Sequence, residues 1–134
     1  MTISSFDDLL LETRQQAEPQ RLLFVFSGAE LPDDATAVQR ARFEAGIGGA
    51  LTPLMCVDKT PQEIDTFPAL VEESREFGHE WAIVFVAALA GRGGVAPTSK
   101  DAEAPLQRMV ESIKAGSIES FIPFNRQGQP VMLS

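Results

Sequence analysis

The sequence predicts an α/β fold: a largely parallel or mixed sheet of about five strands, four helices and a C-terminal β-hairpin, in one domain over residues 1–134. Three observations predict it. The run Trp81-Ala82-Ile83-Val84-Phe85-Val86-Ala87-Ala88-Leu89 carries no polar side-chain group except the Trp81 indole, and a strand that apolar is covered on both faces. Apolar strand-like runs alternate with helical patterns, which implies crossovers between parallel strands. Near the C-terminus, Asn125-Arg126-Gln127-Gly128 separates two short arms in the manner of a hairpin. The alternative is an α+β sandwich with all helices on one face.

Each element has its own signal. Ser5 and Asp8 stand at capping-box spacing. Phe6, Leu9, Leu10 and Thr13 then share a helical face, and Pro19 ends the helix. Leu22-Leu23-Phe24-Val25-Phe26 is a short strand closed by Ser27-Gly28. Pro32-Asp33-Asp34 marks a turn and cap before a helix over 35–45. Its stripe of Val38, Ala41 and Ala45 is weak, so that helix is partly exposed, and Gly46 suits its end. Gly48-Gly49 leads into a strand over 51–57, which Pro53 confines to an edge or to the residues after it.

Thr60-Pro61-Gln62-Glu63 combines a cap, a first-turn proline and a third-position glutamate. Pro68 interrupts the pattern, so a short turn precedes a helix over 67–77. Phe67, Leu70, Val71, Ser74 and Phe77 share its inner face, and Gly78 stops it. The Trp81 strand follows. Leu106, Met109, Val110 and Ile113 then give the cleanest helical spacing in the chain, ended by Gly116. The hairpin arms, 118–124 and 129–133, contain Pro123 and Pro130, which place them at an edge.

Length sets one domain that buries about two thirds of its unfolded surface, without need of disulfide or metal. Cys56 is the sole cysteine, so no intrachain disulfide forms and a reducing, cytoplasmic compartment fits. The opening residues lack a basic stretch before an apolar one, so no secretory signal is expected. No apolar run reaches the roughly 20 residues of a membrane helix. The net charge of −8 opposes contact with phosphate backbones, so no nucleic-acid partner is expected. Acids and bases balance only in the C-terminal part.

That part holds the candidate site, the Gly-rich loop over 91–101. Gly93 and Gly94 free backbone amides that can wrap an anion, Arg92 and Lys100 add charge, and Thr98 and Ser99 add hydroxyl donors ahead of a helix N-terminus. The loop departs from the P-loop pattern, since Lys100 follows Ser99, and no third glycine completes a dinucleotide pattern. A structural crossover loop is therefore the favoured reading. Cys56 lies among apolar neighbours and reads as a buried core thiol, with Asp58 as a turn or capping acid. His79 reads as an exposed loop histidine before the Trp81 strand. One His and one Cys give no metal cluster, Glu72-Glu73-Glu76 reads as a solvated face, and no cofactor is expected.

Four stretches carry a resemblance: Arg21-Leu22-Leu23-Phe24-Val25-Phe26, Glu30-Leu31-Pro32-Asp33-Asp34-Ala35-Thr36, Leu54-Met55-Cys56-Val57-Asp58-Lys59-Thr60-Pro61, and the segment from Trp81 through Ser99. With them the chain resembles a family of short uncharacterised bacterial proteins, members of which are sometimes labelled ribonucleotide reductase alpha subunit. The resemblance implies no established active site. That reaction needs a thiyl-radical cysteine and a redox-active cysteine pair, which one cysteine does not supply.

Two functions follow as expectations. The favoured one is a non-catalytic binding or accessory domain, a homodimer or partner of another protein, meeting it through the hairpin edge or the weak second helix. The alternative is a small enzyme or ligand-binding domain for a phosphate- or nucleotide-like anionic metabolite held by Arg92, Gly93, Gly94, Thr98, Ser99 and Lys100.

Overall fold

One antiparallel sheet of four strands organises the chain, in the order β2-β1-β3-β4. The computed structural model describes residues 4–30, 36–44, 50–64, 66–78 and 80–131. Helix α1 spans Phe6–Arg14 and strand β1 Gln20–Glu30. Helix α2 spans Ala37–Glu44 and strand β2 Ala50–Lys59. A 3-10 turn at Pro61–Glu63 precedes α3, Phe67–Ser74. Then come β3 (Ile83–Ala90), α4 (Ser99–Lys114) and β4 (Ile122–Phe124).

This corrects the expected sheet of about five parallel or mixed strands. β1 is antiparallel to both β2 and β3, and β4 is antiparallel to β3. A helix between two strands forces them parallel only when it carries the chain back along the sheet. The described side chains of α2, Ala37, Val38, Arg40 and Ala41, are all exposed, and β2 pairs with β1 in the opposite direction. The chain therefore returns from the end of β1 and pairs beside it. After α4, residues 115–121 bring the chain part of the way back, so β4 also runs antiparallel. Strands share a direction only where they are not neighbours: β2 with β3 across β1, and β1 with β4 across β3.

Among the described residues three helices cover the sheet, fewer than the four helices expected of the fold. α1 and α3 cover one face: Phe6, Leu9, Leu10, Phe67 and Leu70 pack on Leu22, Phe24, Phe26, Val84, Val86 and Phe124. α4 covers the other with Ala102, Leu106, Met109 and Ile113, against Leu23, Val25 and Phe85. The alternation of β1 and β3 between these two sets is the two-residue period of a strand buried on both sides. Val84, Phe85 and Val86 are buried as the apolar run predicts, but Ala82, Ala88 and Ala90 are exposed, and Trp81 precedes the strand.

Other expectations shift. β1 continues through Ser27-Gly28 to Glu30. β2 is an edge strand, and its register skips Leu54 where Ser27 faces Pro53. Ser27 is buried, with no hydrogen-bond partner for its Oγ among the described residues. The third helix ends at Ser74, and a 3-10 turn carries Phe77 into solvent, 52% exposed, rather than onto the core. Ser74 instead accepts the Trp81 indole N–H at 2.8 Å. Among the described residues the terminal hairpin consists of β4 and one bridge, Phe124 to Pro130. Its turn is anchored by the Phe6 amide, which donates to the Gly128 carbonyl at 2.8 Å. Gly128 has φ +76° and a Cβ there would lie 3.0 Å from the Phe67 ring, so only glycine suits it. The readings at 32–34, Ala45, Gly46, 48–49 and His79 lie outside the described residues.

Candidate functional site

The loop after β3 is shorter than the sequence suggests, because α4 begins at Ser99. Thr98 is its cap: the Thr98 Oγ1 accepts the Asp101 amide at 3.1 Å, and the Asp101 carboxylate accepts the Thr98 amide at 2.9 Å. This is a capping box with Asp in the place of Glu; at α1 only half of it forms, since Ser5 Oγ accepts the Asp8 amide while the Asp8 carboxylate accepts from Ser4. The helix runs through Pro105, whose ring replaces one N–H in its second turn.

Ahead of the cap, Arg92 and Val95 form a two-way backbone bridge, with N···O distances of 3.1 and 3.0 Å. Gly93 and Gly94 are its central pair, at φ +59° and +79°. Two positive φ values in a two-residue turn are what a type I′ hairpin requires. Gly91 donates to the Pro19 carbonyl at 2.8 Å, and a Cβ there would run into the Val95 carbonyl. The glycines thus have conformational reasons independent of any ligand.

The polar groups of the loop meet carboxylates of the chain itself. The Gly94 amide donates to both oxygens of Glu18 at 3.1 Å. The Ser99 hydroxyl donates to Asp58 Oδ2 at 2.6 Å. Arg21, from the start of β1, donates to that same oxygen at 2.6 Å and through Nε to the Pro97 carbonyl at 2.7 Å. Asp58 is therefore an ion-paired tether rather than a simple turn acid. Glu63 approaches Arg21 at 3.9 Å, and Lys59 pairs with Glu73 at 2.9 Å. Asp101 is held below the ordinary carboxylate range by the Thr98 amide first and its hydroxyl second, with Arg21 and Lys100 adding to the effect. Glu63 is lowered in the same way by the Thr60 amide and hydroxyl.

Of the six predicted residues, Arg92 lines an open cleft of about 390 Å³, with Leu89, Val95, Pro97 and Asp101 among its other walls. Gly93 and Gly94 form the adjoining turn. Thr98 caps α4, Ser99 faces Asp58, and Lys100 is exposed on the first helical turn. Sequence reasoning missed Arg21 and Glu18, which lie far from the loop along the chain; a lone cation opening a strand and an acid before Pro19 carry little signal. Cys56, expected in the core, is exposed on the edge strand β2. Its side chain alternates with those of Met55 and Val57, which do pack on the core. Among the described residues, no group of three or more His, Cys, Asp or Glu is placed to hold a metal ion, and no helix is long and apolar enough to cross a membrane. Comparison with protein-family models, curated proteins and solved structures gives no match.

Proposed function

We propose that the chain is a non-catalytic binding or accessory domain, working in a reducing, cytoplasmic compartment and meeting a second copy or another protein. One observation carries this reading. The groups an anionic substrate would use at the Gly-rich loop already hold internal carboxylates: Glu18 on the Gly94 amide, Asp101 on the Thr98 amide, Asp58 on the Ser99 hydroxyl. The loop serves as a clasp between sheet and helix. The contact surface is α2, whose described side chains Ala37, Val38, Arg40 and Ala41 are exposed, Val38 to 66%. Sedimentation equilibrium of wild type and Val38→Asp, with pyrophosphate and nucleotide titrations alongside, tests it. Association that weakens in Val38→Asp, with no saturable anion binding, supports the reading. Saturable anion binding by a non-associating chain overturns it.

A second reading is favoured by the cleft at Arg92: a small enzyme or ligand-binding domain for a phosphate- or nucleotide-like metabolite. Here Arg92 and Lys100 supply charge while Gly93, Gly94, Thr98 and Ser99 supply donors. A lost charged hydrogen bond costs about 1.5–3 kcal/mol, so Arg92→Ala then weakens that anion by roughly ten- to a hundredfold.

A further inference from the structure

We propose that a separate cleft, between α4 and the end of β3, binds a small monocarboxylic acid with an apolar body. α4 packs over β1 and β2. It therefore lies closer to β1 and β2 than to the last half of β3 on that face. Phe85 is covered, but Ala87 and Leu89, the next residues pointing the same way, are only half-buried. The small side chain of Ala87 does not fill the space. What remains is a cleft of about 210 Å³.

Its walls are chemically uneven. Leu23, Ala87, Leu89 and Met109 form an apolar floor and side, and Phe121 adds an aromatic wall. Pro105, Arg108, Met109 and Ser112 lie along one stripe of α4, at the three- and four-residue spacing of neighbours on a helix. Two of these, Arg108 and Ser112, bring polar groups to the lining. Arg108 is exposed, and no ion pair or hydrogen bond of its side chain is found among the described residues. The nearest acid on its own helix, Glu111, is paired instead with Lys114 at 3.9 Å.

An apolar slot with one unpaired guanidinium at its wall defines its complement. The body must be apolar to gain from the floor, and a single carboxylate matches the two-pronged donor geometry of arginine. Ser112 supplies a further donor. At interior packing density the volume accommodates about ten non-hydrogen atoms, below the range of drug-sized pockets. A nucleotide is too large. Inorganic phosphate would leave the apolar walls unused, and on a chain of net charge −8 a single cation favours a singly charged ligand. Leu89 is shared with the cleft at Arg92, but Arg92 itself does not line this one.

The test uses the full chain with benzoate and hexanoate as probes and benzamide as the neutral control, followed by calorimetry and by NMR of the Phe121 and Met109 signals. Expected are saturable binding of at least one acid, weakening of tenfold or more in Arg108→Gln, loss in Ala87→Leu, and unchanged affinity in Arg92→Ala. Arg108 is a surface residue, so Arg108→Gln keeps the test valid if Ala87→Leu is poorly folded. The proposal is overturned if neither acid saturates by about 10 mM, if benzamide binds as well as benzoate, or if Arg108→Gln leaves affinity unchanged. Dependence on Arg92 in place of Arg108 overturns it too, and points to the loop cleft.

Discussion

The Ser99 hydroxyl donates to Asp58 Oδ2 at 2.6 Å and so joins the first residue of α4 to the end of β2. Arg21 holds the same oxygen, and the Arg21 and Asp58 side chains are only 13% and 18% exposed. That burial separates the pair from surface ion pairs, which contribute little. Asp58→Ala is expected to cost about 1–3 kcal/mol, because it strands a mostly buried guanidinium, and Ser99→Ala about 0.5–1.5 kcal/mol. Urea denaturation of both variants checks the order; equal losses would remove Arg21 from the argument.

Gly91 and Gly94 have different reasons to be glycine. Gly91→Ala meets the Val95 carbonyl, which belongs to backbone that cannot swing aside. Gly94→Ala meets open space but must adopt φ +79°. Strain of that second kind costs about 1–3 kcal/mol. Gly91→Ala is therefore expected to be the more destabilising, with detachment of the Glu18 contact visible in the Gly94 amide NMR shift.

Ser27 buries a hydroxyl with no partner among the described residues. A buried polar group left unpaired costs about 1–3 kcal/mol. Ser27→Ala is expected to raise the urea midpoint, corresponding to a gain of about 1 kcal/mol, since it removes the orphan and leaves only a small void. A lower midpoint would reveal a partner for the hydroxyl.

Exposure of Cys56 makes a kinetic prediction. Folded protein is expected to release one equivalent of thionitrobenzoate per chain from Ellman's reagent without denaturant. If labelling waits for urea, β2 is shielded in solution and its edge is covered.

Among the described residues three carboxyls lie below their ordinary values: Asp8 through the Ser4 hydroxyl and amide, Glu63 through Thr60, and Asp101 through Thr98. A lowered folded value means that unfolding takes up protons in acid, so stability falls as pH falls. The contribution of these caps is complete above the ordinary glutamate value of 4.5 and disappears as pH drops through the lowered values. Thermal melts are expected to be level from pH 7 to about 5 on this account and to decline below. Asp101→Asn should flatten part of that decline.

Local patterns in the sequence translate into local structure. Ser5 and Asp8 mark the start of α1, and Leu106, Met109 and Ile113 mark the buried face of α4. The start of α4 is legible too, since Thr98 and Asp101 repeat the spacing of Ser5 and Asp8. Strand direction was not legible. It depends on whether α2 lies along the sheet, and the weak stripe of Val38 and Ala41 bears on exposure rather than on where the chain goes next. Cys56 was misplaced because an edge strand next to Pro53 exposes one side of a run that is apolar throughout. At the candidate site, Arg92, Gly93, Gly94 and Thr98 are neighbours in sequence, while the carboxylate of Glu18 and the guanidinium of Arg21 arrive from the start of β1, which pairs beside the end of β3. Sequence spacing carries no record of that approach.

β1 lies between two strands that are both synthesised after it. On the ribosome its apolar stretch, Leu22 to Phe26, emerges with two open edges. The first closes only when β2 is complete at Lys59, the second only when β3 is complete at Ala90. At about 5–20 residues per second this interval lasts several seconds. During it the nascent chain presents an aggregation-prone ribbon, so its yield in cells depends on translation speed and on chaperones that shield that ribbon until β3 arrives.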